Sequence, residues 1–212
     1  MNAAYLQLII LIVLIVVFQV VVGRVGLEKE AQRRWQHALT GQALVGCSYF
    51  LDVWMCTVGL ILGLFGIAFM KYMYPVDYLR LFGPLLRPHE REQLPGAFYF
   101  LLGTLLVLFL VPLETARYAV LCLSYADPAA AWIGRTIPLR KFHDSASVGG
   151  CLACFVIACV IGAGFLSYNQ DENHVARILI GALVCTIAEA LPVGNDNLMI
   201  PLLTALSVEW LF

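Results

Sequence analysis

The sequence predicts an all-α protein, built as a polytopic bundle of transmembrane helices with about seven or eight spans. Hydrophobic residues make up 61% of the 212 residues and charged residues only 13%, whereas a soluble domain is roughly 45–50% apolar and about 25% charged. The apolar residues are gathered into long runs, and a helix needs about 20 of them to cross a bilayer. Glycine, proline and charged residues separate these runs.

The first apolar run covers residues 3–22, AAYLQLIILIVLIVVFQVVV. No basic residue precedes it and nothing resembling a cleavage site follows, so it lacks the features of a signal peptide. We therefore expect residues 1–23 to form an N-terminal transmembrane span and residues 24–212 to form the membrane-embedded domain. Segment 23–41 is basic and rich in helix formers, which indicates a helix at the membrane surface.

The later apolar runs are expected to be further spans, at residues 42–70, 94–113, 116–134, 147–168, 176–191 and 198–212. The run 42–70 exceeds one bilayer thickness, so it is either one overlong tilted helix or a tight pair of short helices. Loops 23–37, 71–93 and 135–146 are basic, which places them in the cytosol, whereas loop 169–175 is acidic. The first two loops lie on one side only if residues 42–70 form a hairpin.

The sequence gives no support for a zinc site or for a nucleic-acid-binding site. All seven cysteines lie in apolar stretches, and no second cysteine or histidine pair accompanies Cys151 and Cys154 to complete a zinc site. We interpret them as small apolar helix residues. The net charge of −1 gives no information about a nucleic-acid partner, and we expect none because no basic run with interleaved aromatic residues occurs.

Three carboxylates, those of Asp127, Glu189 and Asp196, fall at the predicted cytosolic membrane boundary. Acidic residues inside spans are costly and usually face a cavity or a partner. Carboxylates also suit Mg²⁺, which takes one or two of them together with substrate phosphates. The pair Asp127-Pro128 is equally typical of a helix N-cap followed by proline, so Asp127 either has a functional role or caps a broken helix.

Two glycines and a group of basic residues are candidates for binding phosphate. Gly149 and Gly150 open a helix, where exposed N–H groups suit phosphate, although glycine also serves close helix packing. Arg33 and Arg34, followed one turn later by His37, offer guanidinium forks that fit phosphate, or they only set the topology. A second basic group occupies loop 135–146 and either neutralises a polyphosphate or is solvated: Arg135, Arg140 and Lys141. No P-loop and no kinase-type glycine-rich loop occurs.

Four blocks of the sequence, in the same order, resemble the CTP-dependent lipid kinases of membranes, which include yeast-type diacylglycerol kinase, dolichol kinase and phytol kinase. The blocks are EAQRRWQHALTG, LSYADPAAAWIGR, SVGGCLACF and EALPVGNDNLMIPL. The segment YLRLFGPLLRPHEREQLPGAFYFLLG is most similar to the diacylglycerol kinase branch. The chain departs from the family pattern at Arg34, where lysine is usual, and at Pro128, Ala146 and Cys151.

The resemblance implies transfer of the γ-phosphoryl group of CTP to diacylglycerol, giving phosphatidate, with Mg²⁺ (or Ca²⁺) as cofactor. It implies an integral membrane enzyme of the endoplasmic reticulum or nuclear envelope, with its active site facing the cytosol. The implied catalytic residues are Asp127, Arg33, Arg34 and Glu189. The implied nucleotide- and phosphate-binding residues are Arg135, Lys141, Ser147, Gly149, Gly150 and Gly134. Asp127 and Asp196 would hold the metal, with His37 and Asn197 nearby.

Other functions remain open from the sequence alone. A kinase for dolichol, phytol or another polyprenol would use the same residues. A cytidylyltransferase would also use CTP but would release pyrophosphate. A membrane transporter would place its carboxylates near the bilayer midplane, often within inverted repeats, and the sequence shows no convincing repeat. The expected partners are a membrane lipid and a nucleotide, and the oligomeric state is left open.

Overall fold

The structure is a computed structural model that describes residues 28–83, 86–137, 139–141, 146–166, 173–191 and 194–211, together with Val17 and Val21. The elements of these residues are helical, and their only β pairing is a single antiparallel bridge between Lys141 and Ser147. The predicted all-α class is therefore confirmed. The predicted span 3–22 lies outside the described residues except for Val17 and Val21, as does most of loop 169–175.

Two of the described helices are long and apolar enough to cross a membrane, Val53–Met73 and Val148–Phe165. Gly96–Leu110 is a shorter apolar helix. These helices are consistent with a membrane protein, and the predicted total of seven or eight spans remains a prediction.

The chain forms two compact units, Met1–Leu105 and Leu106–Phe212. The described helices that begin in the N-terminal unit are α1 (Lys29–Cys47), α2 (Val53–Met73), α3 (Pro75–Phe82), a 3₁₀ turn (Pro88–Arg91) and α4 (Gly96–Leu110). The predicted division of the chain between residues 23 and 24 falls outside the described residues and stays a prediction.

The apolar run 42–70 is divided between two helices, so a single overlong helix is wrong. A pair of short helices is not observed either, because α2 has 21 residues and is long enough to cross a membrane. The predicted surface helix continues into this run as α1, which ends at Cys47. Cys47, Leu51 and Met55 are buried together around the break. Asp52 is exposed there, and its backbone carbonyl accepts hydrogen bonds from the first turn of α2. The position of Asp52 is thus explained by the turn alone.

Two buried charges hold the segment between α3 and α4. Lys71, near the end of α2, donates to the carbonyls of Glu90 (3.1 Å) and Arg91 (3.2 Å) and also to that of Gln93. The buried carboxylate of Glu90 accepts from the backbone N–H groups of Arg87 and Gly96, each at 2.8 Å. Because an uncompensated buried charge is strongly unfavourable, these hydrogen bonds fix the path of the segment.

The C-terminal unit is built from α5 (Leu113–Leu121), a π-helical turn (Cys122–Ala126), α6 (Asp127–Thr136), α7 (Val148–Phe165), α8 (His174–Ala190) and α9 (Asp196–Trp210). Helix α6 packs on α7, α7 on α8, α8 on α9, and α9 on α5. At one end of this bundle lie the end of α6, the first turn of α7, the last turn of α8 and the first turn of α9. We call this the carboxylate end, because Glu189 and Asp196 lie in these turns.

Small residues allow the helices of the C-terminal unit to pack closely. A Cβ added at Gly181 of α8 would lie 2.8 Å from Val208 Cγ2 and 2.9 Å from the hydroxyl of Tyr118. Cys154 and Cys185 are fully buried with their sulfurs 3.9 Å apart. All seven cysteines are free and lie in helical elements. Such small side chains are typical of helix contacts inside membrane proteins.

Gly181→Ala should therefore lower stability, because neither Val208 nor Tyr118 can move away from a new methyl group in a packed core. We expect a loss of about 1–3 kcal/mol, measured as a lower thermal unfolding temperature of the purified protein in detergent. Gly164→Ala is the matched control, since a Cβ there meets nothing within 4 Å. Equal unfolding temperatures for the two variants would contradict the close packing at Gly181.

Candidate functional site

The described basic residues of the N-terminal unit include a group of arginines that share one carboxylate. Arg33 and Arg34 reach back one turn of α1 and donate from Nη2 to Oε1 of Glu30, at 2.7 and 3.0 Å. Arg87, far away in sequence, places its Nη2 at 3.7 Å from the same oxygen. We call Glu30, Arg33, Arg34, Arg87 and the neighbouring His37 the arginine cluster.

His37 is held in its neutral form within the arginine cluster. Its ring packs against the ring of Phe100, with centroids 5.3 Å apart. Burial lowers the pKa of His37 to about 3, and the charges of Arg33, Arg87 and Arg34 act in the same direction. At neutral pH His37 therefore adds no positive charge to the arginine cluster.

Asp127 lies inside a continuous helical run rather than at a helix start. Its φ of −62° and ψ of −52° are helical, whereas an N-cap residue is usually extended. The alternative in which Asp127 caps a broken helix is therefore wrong. Pro128 lacks the N–H that an α-helix would use, and the π-helical turn before it absorbs this defect. Such π-turns are frequent at functional sites.

Ser147, Gly149 and Gly150 form the beginning of α7 and pack against α6. Ser147 is the N-cap, and its Oγ accepts from the N–H of Gly150 at 3.1 Å. A Cβ at Gly150 would lie 2.7 Å from the carbonyl oxygen of Ala130, and one at Gly134 would lie 2.8 Å from Ser147 Oγ. Close packing thus accounts for Gly134 and Gly150. A phosphate-binding role for this turn remains a prediction.

Glu189 is partly buried in the last turn of α8, and its charge acts on the thiols of Cys151 and Cys154. It therefore lies beside the beginning of α7. A carboxylate is unfavourable at a helix C-terminus, where the helix dipole is negative, so Glu189 does not stabilise α8 in this way.

Asp196 is exposed in the first turn of α9, where the helix dipole favours a carboxylate. The preceding turn contains Gly194 at a φ of +76°, a conformation that glycine adopts without strain. Asn195 caps the helix, with its Oδ1 accepting from the N–H of Asn197 at 3.1 Å. This local geometry fixes the positions of Asp196 and Asn197.

Several predicted residues of the C-terminal unit lie in the segments that form the carboxylate end. Asp127 precedes Ala130 by about 4.5 Å of helix rise, and the Ala130 carbonyl faces Gly150. Arg135, in the last turn of α6, and Lys141, bridged to Ser147, are both exposed. Convergence of Asp127 with Glu189 and Asp196 in one site remains a prediction.

No family model matches the chain, and no solved structure matches it significantly. Three curated proteins do match it, each named CTP-dependent diacylglycerol kinase 1. The protein of Schizosaccharomyces pombe is 32% identical over 142 residues, which are 60% of this chain and 65% of that relative. Those of Eremothecium gossypii and Saccharomyces cerevisiae are 26% and 27% identical over 152 residues, covering 61% of this chain and 48% and 52% of the relatives.

The chain is similar in sequence to these three CTP-dependent diacylglycerol kinases. The resemblance carried by the four sequence blocks is thereby confirmed, including its diacylglycerol kinase branch. The chain spans between about half and two thirds of the length of the relatives that it matches.

The candidate donor set of this chain fits a hard divalent cation only if substrate completes the coordination. Among the described residues, no group of three or more histidine, cysteine or acidic side chains could hold a metal ion. Asp127 and Asp196 supply two carboxylates, and Mg²⁺ is commonly bound by one or two carboxylates plus substrate phosphates. The chemistry of the two side chains therefore fits Mg²⁺, and the metal itself remains a prediction.

Glu30 and Arg87 were not among the residues predicted for the site. Glu30 stands three and four residues before Arg33 and Arg34, a spacing that favours ion pairs on a helix, so the sequence contained a signal for it. Arg87 lies in a proline-rich segment without helical periodicity. Only the folded segment between α3 and α4 brings it to Glu30.

The low pKa of His37 predicts a specific loss of stability in acid. The folded-state pKa, about 3, is below the ordinary value of 6.5, so the unfolded chain takes up a proton that the folded chain does not. The free energy of unfolding should fall as the pH drops from about 6.5 toward 3, by at most about 1.4 kcal/mol per pH unit. Thermal unfolding in detergent between pH 7.5 and 5 measures this loss.

His37→Gln should reduce this acid sensitivity, whereas His174→Gln, in the other unit, should retain it. If the unfolding temperatures of the wild type and His37→Gln fall in parallel with pH, His37 is not the group responsible.

Proposed function

We propose that the chain transfers the γ-phosphoryl group of CTP to the hydroxyl group of diacylglycerol, giving phosphatidate and CDP. The observation that carries this proposal is where the four resembling blocks lie in the fold. The first block supplies four members of the arginine cluster, and the other three supply Asp127, the beginning of α7, Glu189 and Asp196. The three matching relatives bear the name of this activity.

Arg33 and Arg34 are assigned to the transferring phosphoryl group. Phosphoryl transfer depends mainly on positioning and on neutralising charge at the phosphoryl oxygens. Guanidinium groups bind such oxygens with two parallel hydrogen bonds. The side chains of both arginines are mostly buried, with 18% exposed, and this restricts their motion and strengthens their interaction with an anion.

Asp127 and Asp196 are assigned to a divalent cation, Mg²⁺ or Ca²⁺, which would neutralise the donor phosphates when bound. Glu189 is assigned to accept the proton of the lipid hydroxyl. Its carboxylate is partly buried and lies beside the beginning of α7, and a positioned carboxylate can act as a general base. Arg135 and Lys141 are exposed and would neutralise the remaining nucleotide charge.

The location of the enzyme forms part of the same proposal. The two membrane-length helices favour an integral membrane protein, and diacylglycerol would then enter from the bilayer. The catalytic residues would face the cytosol, with the basic loops on that side. The endoplasmic reticulum and nuclear envelope are the proposed membranes.

The direct test is an assay of the purified full chain in mixed micelles, with labelled CTP or ATP and a panel of lipid alcohols. The expected products are CDP and phosphatidate, formed from CTP and diacylglycerol. Phosphorylated dolichol or phytol in preference to phosphatidate would assign a different lipid. Pyrophosphate and a CDP-lipid would show a cytidylyltransferase instead.

Asp127→Asn and Arg34→Ala should each lower kcat/KM by at least about 100-fold, the loss seen when one charge-stabilising group is removed from an active site. Asp77→Asn and Arg80→Ala are matched controls, because both side chains are exposed on the short helix α3, and they should retain nearly full activity. All four variants should insert into membranes and unfold in detergent at similar temperatures. Full activity of a purified Asp127 or Arg34 variant would refute the role assigned to that residue.

A further inference from the structure

Helix α2 carries an apolar surface along its whole length. Between Asp52, which precedes the helix, and Lys71, near its end, residues 53–70 include no charged residue. This segment corresponds to about 27 Å of helix rise, which is close to the roughly 30 Å thickness of the hydrocarbon core of a bilayer. Large apolar side chains are exposed over this distance: Ile61, Leu62, Phe65 and Phe69. Length and exposure together indicate that the two ends of α2 lie at the two boundaries of a membrane core.

Exposed aromatic residues lie at both of these ends. Phe50 and Trp54 are exposed at the beginning of α2, and Tyr72 and Tyr74 are exposed at its end. Tryptophan and tyrosine are enriched at the two membrane–water interfaces, where an apolar ring and a polar group are both accommodated. The end of α2 is therefore expected at one interface, and the segment that follows it begins there.

Helix α3 begins at this end of α2 and does not continue its course. Tyr74 separates the two helices, with a φ of −131° and a ψ of 57° that are not helical. Pro75 follows as the first residue of α3, and proline lacks the N–H that would extend the preceding helix. Helix α3 packs on α2, and the ring centroid of its buried residue Tyr78 lies 5.5 Å from Nζ of Lys71. One side of α3 is thus attached to the end of α2.

The rest of the α3 surface is exposed and mostly apolar. Asp77 and Arg80 are its charged residues and are separated by only about 60° around the helix axis. Val76 and Leu79 form one apolar side, between the buried side at Tyr78 and the charged residues, and they are 76% and 43% exposed. A helix with an apolar side and a charged side lies in the plane of a membrane surface, with the apolar side buried at the boundary between headgroups and acyl chains.

The apolar surface of α3 is continuous with that of α2. The residues that join the two helices, Tyr72, Met73 and Tyr74, are all exposed, and the ring centroids of Phe69 and Tyr74 lie 5.7 Å apart. The same medium must therefore cover the end of α2 and the beginning of α3. A helix that spans a bilayer is in contact with lipid, so this continuity favours lipid as the partner of α3. The opposite charges of α3 cancel, which favours apolar contact over attraction to anionic headgroups.

We propose that α3 lies in the plane of the membrane surface, with Val76 and Leu79 among the acyl chains of phospholipids and with Asp77 and Arg80 in the aqueous headgroup region. This proposal rests on the membrane location that forms part of the proposed function. It also places the segment between α3 and α4 at the depth of the headgroups, because the buried amino group of Lys71 ties that segment to the end of α2.

Photocrosslinking identifies the medium that contacts α3. A small diazirine-bearing amino acid replaces Val76, Leu79 or Asp77, one at a time, in the full chain reconstituted in phosphatidylcholine nanodiscs. On irradiation the diazirine loses dinitrogen, and the carbene that remains inserts into the nearest C–H or O–H bond. Mass spectrometry of the peptide then identifies the adduct. We expect phospholipid adducts at Val76 and Leu79 and water adducts at Asp77, which is the matched control on the charged side. Water adducts at Val76 and Leu79 as well would overturn the proposal.

Two other partners would give different products in the same experiment. Crosslinks from Val76 to residues 1–27 of the same chain would assign this surface to the N-terminal segment. Crosslinks between two copies of the chain would assign it to an oligomer. Either product in place of the phospholipid adduct would overturn the membrane contact of α3.

A diazirine at Phe65 separates this proposal from the membrane location on which it rests. Phe65 is 66% exposed in the middle part of α2, so an α2 that spans the bilayer requires a phospholipid adduct there. A phospholipid adduct at Phe65 with water adducts at Val76 and Leu79 would overturn only the assignment of α3. Water adducts at all three positions would refute the membrane location as well.

Leu79→Glu tests whether apolar insertion holds α3 at the surface. A carboxylate is unfavourable among acyl chains, so the diazirine at Val76 should lose most of its phospholipid adduct and gain water adduct in this variant. Arg80→Glu is the matched control, because it adds the same carboxylate on the charged side, and it should keep the phospholipid adduct. Replacing part of the phosphatidylcholine by phosphatidylserine should leave the products unchanged, since α3 has no net charge. Equal losses in the two variants, or a phospholipid adduct that requires phosphatidylserine, would contradict insertion through the apolar side.

Discussion

A charge inside an apolar helical protein is stable only where other groups compensate it, and the described part of the chain is arranged around this constraint. Lys71 has three carbonyl partners, and Glu90 has two N–H partners. Arg117 is buried and pairs with Glu114 one turn away. Hydrogen bonds or an ion pair compensate each of these charges, and we therefore assign them a structural role. In the arginine cluster, Arg33 and Arg34 share the carboxylate of Glu30, and Arg87 approaches the same oxygen. This carboxylate therefore holds together arginines that are distant in sequence.

Helix packing determines where the acids of the C-terminal unit can lie. Gly150 allows α7 to approach the backbone of α6 so closely that a methyl group would collide with a carbonyl oxygen. Proline at position 128 would break an ordinary α-helix, but the π-helical turn keeps the run continuous through Asp127. Asp127 is therefore held by rigid elements on both sides. A functional carboxylate on such a scaffold is placed more accurately than one on a loop.

The all-α class and most of the helices could be predicted from the sequence, because the apolar runs are long and are bounded by glycine and proline. The sequence left residues 42–70 undecided, since composition does not reveal a turn at residues 48–52 that contains neither of those residues. The pair Asp127-Pro128 was ambiguous because the local pattern is that of an N-cap, and the surrounding helices select a helical conformation instead. Gly149 and Gly150 show a similar difficulty, since a glycine pair has the same appearance whether it packs helices or binds phosphate. The position of Arg87 could not be predicted, because its partner Glu30 is distant in sequence. The segment that brings Arg87 to Glu30 is fixed by the hydrogen bonds of Lys71 and Glu90.

The two units also differ in the chemistry that they offer. In the N-terminal unit the arginine cluster combines cations with a histidine that stays neutral, because its pKa of about 3 prevents it from adding further repulsion. In the C-terminal unit the predicted acids stand beside tightly packed helix ends, where Glu189 occupies a position that the helix dipole disfavors. Phosphoryl transfer needs cations to neutralise the moving group, and acids to bind a metal and accept a proton. Loss of the arginines should therefore affect the phosphate, and loss of Glu189 the lipid hydroxyl, which gives the two sets of variants different kinetic signatures.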